Sequence, residues 1–259
     1  MSLEAFPFVN WIFWAELTGG SLLVVGVIER LGGTTRGYRL FMAVLLALFA
    51  GITLLSEFAL PAGTAADPTA EWRRALSELL AVGGVAYLVA SIAKWPRSGV
   101  AIASGAAGVA GLVALAAAGG TSSAPLFAAQ LVLSAASLGS VASAMLLGHW
   151  YLVTPQLSPT PLRRMIWAGG VALVAQLMLF AVAMLAVSAS PVTGPDAWLA
   201  WLRLGIGLVL PIGISVLAML ASFASSLQAS TGLLYIGLAF VMAGSIAGAA
   251  LSYITGVPV

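Results

Sequence analysis

Residues 8–28 read FVNWIFWAELTGGSLLVVGVI, a run of 21 residues with a single charge, Glu16. About 20 apolar residues in an α-helix cross the roughly 30 Å of a bilayer's hydrocarbon. The run is apolar on every side rather than striped, as helices in lipid are. Seven more runs of the same kind follow, at 39–60, 75–93, 99–118, 124–148, 165–188, 198–225 and 230–254. None shows the alternation of a membrane β-strand. The pattern predicts an all-α, polytopic transmembrane helical bundle of about eight spans. It forms one transmembrane domain over 1–259, divisible into four-helix halves at 1–118 and 124–259.

Composition agrees. Charged residues make up 7% of the chain and apolar residues 61%, and mean hydropathy is +1.10. A soluble domain carries about 25% charge to solvate its surface, so this surface faces the lipid bilayer. The net charge of +2 comes from ten basic and eight acidic residues. The basic ones sit in short connections, which argues against nucleic-acid binding. Cysteine is absent, which excludes disulfides, thiolate metal sites and iron–sulfur ligation by this chain. Glu4 and the lack of a basic n-region predict no cleavable signal peptide. With connections this short, any soluble redox part belongs to another chain.

Basic residues in short loops set orientation. Arg30, Arg36 and Arg39 follow the first span, Lys94 and Arg97 the third, and Arg163 and Arg164 the fifth. The opposite side has Arg73 and Arg74, beside the acidic Asp67 and Glu71. Seven against two predicts cytoplasmic odd-numbered loops and both termini on the outer side.

Charges inside spans cost about 2.5–3.5 kcal/mol at a helix centre, so they are functional candidates by default. Glu16 lies roughly 12 Å below the outer end of the first span, at 1.5 Å per residue. Glu57 near the end of the second span, Glu78 near the start of the third and Arg203 in the seventh occur on the same side. Glu16 and Glu57 are the candidate proton-exchanging groups. Glu78 fits an interfacial charge reaching water, and Arg203 fits a counter-ion to the carboxylates. Abundant Gly and Ala, as in residues 101–111 and 244–249, point to close helix packing.

Other chemistries are excluded residue by residue. His149 is the only histidine, so a bis-histidine haem within this chain is ruled out. Its neighbours Trp150 and Tyr151 suit an interfacial aromatic belt. Lys94, the one lysine, sits at a helix end, where it cannot hold a retinal Schiff base. Ser104 has no histidine at its depth for an intramembrane protease. No paired acidic cluster suggests a metalloprotease, and no metal-ligating residues are assigned.

The segment Trp11-Ile12-Phe13-Trp14-Ala15-Glu16-Leu17-Thr18-Gly19-Gly20-Ser21 resembles the aromatic, then Gly-Gly, opening helix of the NrfD/polysulfide-reductase membrane-subunit family. The second span ends Ser56-Glu57-Phe58-Ala59-Leu60-Pro61. There Glu57 and Pro61 match that family's pattern, while Ala59 and Leu60 replace its Gly and Arg. The last span is similar in composition to the family's closing helix. The resemblance implies a haem-free anchor that binds quinone near the outer face and docks an iron–sulfur subunit there. It places Glu57 at the acidic position of the second span, with Asn10, Trp14 and Glu16 lining the quinone end of the first.

The function expected is a haem-free quinone/quinol-interacting integral membrane subunit of an electron-transfer complex in a prokaryotic inner membrane. Its cofactor would be menaquinone or ubiquinone, and its partner an iron–sulfur or cytochrome redox subunit. Glu16 and Glu57 would carry protons, while Trp11, Trp14, Asn10 and Arg203 shape the binding region. The alternatives are a small proton-coupled secondary transporter, for which Pro211 and Gly213 supply a candidate helix break, and a structural scaffold subunit.

Overall fold

Turn chemistry cuts the apolar chain into helices. The computed structural model describes residues 5–60, 69–119, 123–154, 157–186, 193 and 196–256. The helices are α1 (Ala5–Leu31), α2 (Arg36–Phe58), α3 (Ala70–Ala93), α4 (Arg97–Ala118), α5 (Ala124–Val153), α6 (Thr160–Ala186), α7 (Ala197–Phe223) and α8 (Leu227–Thr255). Gly32 and Gly33 separate α1 from α2 at φ +83° and +93°, a region open chiefly to glycine. The Thr35 side chain then accepts from the Tyr38 N–H and caps α2. Lys94 ends α3 in a left-handed conformation, with Pro96 just beyond it.

All eight helices are long and apolar enough to cross a membrane, and the described residues contain no strand. The chain is an all-α integral membrane protein. Several helices outrun their apolar runs. α3 begins at Ala70 rather than 75, carrying Glu71, Arg73 and Arg74 on an extra helical turn. α5 continues through His149, Trp150 and Tyr151 to Val153. Polar and aromatic residues at span ends hold their tips in water while the backbone stays helical, so hydropathy alone undercounts them. Leu55, Val82, Met178, Leu185 and Leu220 are each more than half exposed and form part of the lipid-facing surface. The ring of Phe8 packs 5.4 Å from that of Tyr253, so α1 starts where α8 ends and both share one face. We call this the terminal face, and the opposite one the basic face.

α1 and α5 form the centre. Their most apolar stretches are 78% and 72% buried, against 28–44% for the other six helices. Around them the chain makes two four-helix rings. In the first, α1, α2, α3 and α4 each touch the next, and α4 returns to α1. The second repeats this with α5, α6, α7 and α8. The rings join through α1 against α5, flanked by α4 on α5 and α8 on α1. Each ring begins on the terminal face, so the halves repeat in parallel.

The central joint is backbone against backbone. A methyl group at Gly20 would overlap the Ala135 carbonyl, and one at Gly139 would overlap the Gly20 backbone. Lipid removes the hydrophobic drive between helices, so close van der Waals approach takes over. Gly207 of α7 and Gly244 of α8 face each other in the same way. Within α7, residues Leu202–Val209 form a π-helix, and the Leu210 N–H bonds Gly205 O, five residues back. Pro211 follows, with no N–H to continue an α-helical ladder.

Candidate functional site

Glu16 is the hub of a buried polar network. The side chain is 3% exposed, and one carboxylate oxygen accepts from Ser134 Oγ of α5 and Ser245 Oγ of α8, each at 2.7 Å. Those two hydroxyls are themselves 3.1 Å apart. One turn further along α5, Ser137 Oγ donates to the Ser134 carbonyl and accepts from Gln176 Nε2 of α6 at 2.7 Å. Gln176 Oε1 in turn accepts from the Arg203 guanidinium of α7, inside the π-helical stretch. Arg203 is 2% exposed and interacts electrostatically with Glu16. One polar layer thus ties α1 to all four helices of the second ring. Glu16, Ser134, Gln176 and Ser245 each lie ten or eleven residues from the terminal-face end of their helix, roughly 15 Å deep.

A cavity of about 160 Å³ opens above this layer toward the terminal face, and Phe8, Thr69, Leu115, Phe127 and Ser252 are among its lining residues. It holds the volume of about five waters at 30 Å³ each, the size of one substituted ring. Phe127 lies seven residues from Ser134 along α5, and Ser252 seven from Ser245 along α8. Seven residues is two turns, so the cavity stands over the network on the same helix faces, roughly 10 Å away. The Ser252 hydroxyl is buried and has no hydrogen-bond partner among the described residues.

The other end of the candidate set reaches the same cavity through α3. Arg73 donates to the Thr69 hydroxyl at 2.8 Å, and its Nε lies 3.8 Å from Glu57. Ser77 joins in, donating to the Arg73 carbonyl and accepting from the Trp11 indole at 2.8 Å. Trp11 is fully buried and packs against Phe8. Of the sequence candidates, Glu57 and Trp11 are therefore one or two contacts from the cavity wall, through Arg73 and Thr69 and through Phe8, and Glu16 lies in the layer below.

Asn10 and Trp14 do not join them. They face α2, where the Asn10 amide donates to Ser56 Oγ at 3.0 Å, the Trp14 indole donates to Asn10, and Trp14 packs on Phe49. Glu16 points the opposite way, toward α5 and α8. Helical periodicity gives this split, since residues two apart in a helix do not share a face. The counter-ion of Glu57 is Arg73, whereas Arg203 belongs to the Glu16 layer. Glu78 is exposed, as an interfacial charge should be. His149 is also exposed, and its Nδ1 meets Tyr235 Oη at 2.9 Å. Pro61 and Asp67 lie outside the described residues.

Sequence reasoning missed the partners. Ser134, Ser137 and Ser245 look like ordinary small residues of packed spans, and only Gln176, an amide amid apolar neighbours, carried a signal. Glu29 was hidden beside Arg30. It is a buried carboxylate on the basic face, accepting from Tyr87 Oη at 2.6 Å and lying 3.5 Å from Arg97 Nε.

Chemically, the cavity offers two aromatic rings and a free hydroxyl, with Glu57 joined to its wall through Arg73 and Thr69 and Glu16 roughly 10 Å below. That set suits a flat, weakly polar ring that gains or loses protons. The described residues hold no cluster of three or more His, Cys, Asp or Glu side chains able to bind a metal. The chain matches no family model, no curated protein and no solved structure.

Proposed function

We propose that this chain is the haem-free, quinone-interacting membrane subunit of an electron-transfer complex in a prokaryotic inner membrane. An iron–sulfur or cytochrome subunit would dock on the terminal face, which the basic-residue asymmetry makes the outer one. The observation that carries the reading is the ring-sized cavity at that face, set above the Glu16 layer and beside the Thr69 hydroxyl that Arg73 ties to Glu57.

A quinone takes up two electrons and two protons on reduction, and returns both on oxidation. Its head needs a flat apolar slot, a donor to a ring oxygen and a protonatable group nearby. Phe8 and Phe127 form the slot, and the Ser252 hydroxyl is the donor. Glu16 and Glu57 are the proton carriers, Glu16 below the ring and Glu57 beside it, where Arg73 holds the Glu57 carboxylate and fixes the Thr69 hydroxyl at the cavity wall. Electrons pass to or from the docked partner, since this chain has no redox ligand set of its own. The NrfD-type resemblance of residues 11–21 and of Glu57 points the same way.

Quinone-linked turnover of the assembled complex tests this, with the quinone extracted from the purified protein. Glu57→Gln and the doubly neutral Glu16→Gln/Arg203→Gln should lower turnover per assembled complex by about a hundredfold, the lower range for a lost acid–base group. Glu78→Gln should leave it unchanged. Wild-type turnover in both carboxylate variants, with no quinone extracted, would remove the site and favour a scaffold subunit.

A second reading, a proton-coupled carrier, is favoured by the π-helical stretch of α7 that holds Arg203 at the buried layer, because broken helices mark transporter sites. It predicts a chain that purifies alone and acidifies proteoliposomes in a Glu16-dependent way, with no quinone bound.

A further inference from the structure

The basic face has a polarised corner that the Glu16 site does not use. A cavity of about 200 Å³ is lined there by Arg36 and Arg39 at the start of α2, Ser91 and Lys94 at the end of α3, and Arg97 at the start of α4. Four of the chain's ten basic residues therefore converge on one hollow. Its nearest carboxylate is Glu29, already engaged by Tyr87 and Arg97, so positive charge remains in excess. The N-termini of α2 and α4 lie here with the C-terminus of α3 between them, so their dipoles partly cancel and the side-chain charges dominate. The Arg39 Nε–H is buried and has no hydrogen-bond partner among the described residues.

Around the same turn, on the lipid side, runs an apolar groove of about 560 Å³ between α3 and α4. Val82, Val85 and Val89 line it, and Trp95 closes its end beside Lys94. Residues 82–90 span roughly 12 Å, most of the approximately 15 Å depth of one leaflet. Cations on the water side of a turn and an alkyl-width groove on its lipid side match a molecule with a phosphate head and an acyl tail.

We infer that this corner is a binding site for an anionic phospholipid of the leaflet on the basic face. The phosphate is held by Arg36, Arg39, Lys94 and Arg97, and one acyl chain lies against Val82, Val85 and Val89 below Trp95. Basic pockets between spanning helices bind anionic headgroups by this chemistry. Free phosphate would satisfy the cations but leave the groove unused.

Native mass spectrometry of the full chain in detergent, titrated with phosphatidylglycerol or phosphatidylcholine, reads the site directly. Arg36 and Lys94 are exposed and make no hydrogen bond that the fold needs, so Arg36→Gln/Lys94→Gln keeps the structure intact. We expect one phosphatidylglycerol to bind in preference to phosphatidylcholine. The double variant should lose affinity roughly 25-fold, about fivefold per charge. Arg164→Gln, which removes an exposed charge elsewhere on the basic face, should change it less than twofold. Val85→Trp, which fills the groove, should weaken phosphatidylglycerol without affecting the headgroup analogue glycerol 3-phosphate. Equal loss in Arg164→Gln and the double variant would reduce the effect to diffuse surface charge. Equal binding of the two lipids, or full displacement of lipid by glycerol 3-phosphate at matched concentration, would overturn the inference.

Discussion

The Glu16 layer makes a prediction about pairs of mutations that a packing role would not make. Glu16→Gln preserves the shape of the side chain and an acceptor for Ser134 and Ser245, yet leaves Arg203 charged and buried. Arg203→Gln does the reverse to Glu16. Removing one partner of a buried pair costs about 3–5 kcal/mol, whereas neutralising both is often close to neutral. Glu16 and Arg203 interact across Ser134, Ser137 and Gln176 rather than by a direct hydrogen bond, so the lower bound applies. Each single variant should lose about 3 kcal/mol, and the double variant no more than about 2 kcal/mol. The coupling is then about 4 kcal/mol, well beyond the few tenths that independent sites show. At about 2–4 °C per kcal/mol for a long chain, each single should melt roughly 6–12 °C below wild type. The intrinsic fluorescence of the eight tryptophans can follow unfolding in detergent, and the absence of cysteine removes oxidation as a complication. Additive losses, with the double melting below either single, would show that the two charges do not sense each other.

Three further outcomes follow from the fold. Gly139→Ala should cost about 1–3 kcal/mol, because its methyl meets the Gly20 backbone, while Gly51→Ala, which meets open space, should be neutral or stabilising; paired melting curves decide it. A reporter inserted at Gly32–Gly33 should read cytoplasmic and one in the 61–68 connection should read external, and the reverse would turn the bundle over. The purified chain should show no stoichiometric b-type haem Soret band, since His149 stands alone and is engaged by Tyr235; a band retained through denaturing-free purification would refute this.

Span number was legible because lipid imposes length and apolarity on each helix separately, so local composition suffices. Helix ends were not, because Arg73 and Arg74, or His149 to Tyr151, are polar enough to resemble loops yet continue the backbone ladder. Glu16 stood out as one charge in 21 residues. Its partners were invisible, since a serine or threonine in a spanning helix usually satisfies itself on its own backbone, as Ser77 and Thr231 do here. Pairing Arg203 with Glu57 followed from similar depth alone. Depth is one cylindrical coordinate; the face around the helix axis is the other, and it separates Asn10 and Trp14 from Glu16. Arg73, dismissed as a loop charge, proved to be the partner that links Glu57 to the cavity.

The order of synthesis adds a demand of its own. Within the first ring, Glu57 lies on Arg73 and Glu29 on Arg97. Glu16 alone must wait: Ser134 is encoded 118 residues later and Ser245 229 residues later. At about 5–20 residues per second, the nascent bundle carries the carboxylate for roughly 6–24 s before Ser134 and roughly 11–46 s before Ser245. During that interval α1 has either to stay near the insertion machinery, where water reaches Glu16, or to borrow a temporary partner. The second ring is thus a late ligand for α1, and a chain halted between α4 and α5 would leave Glu16 without Ser134 and Ser245.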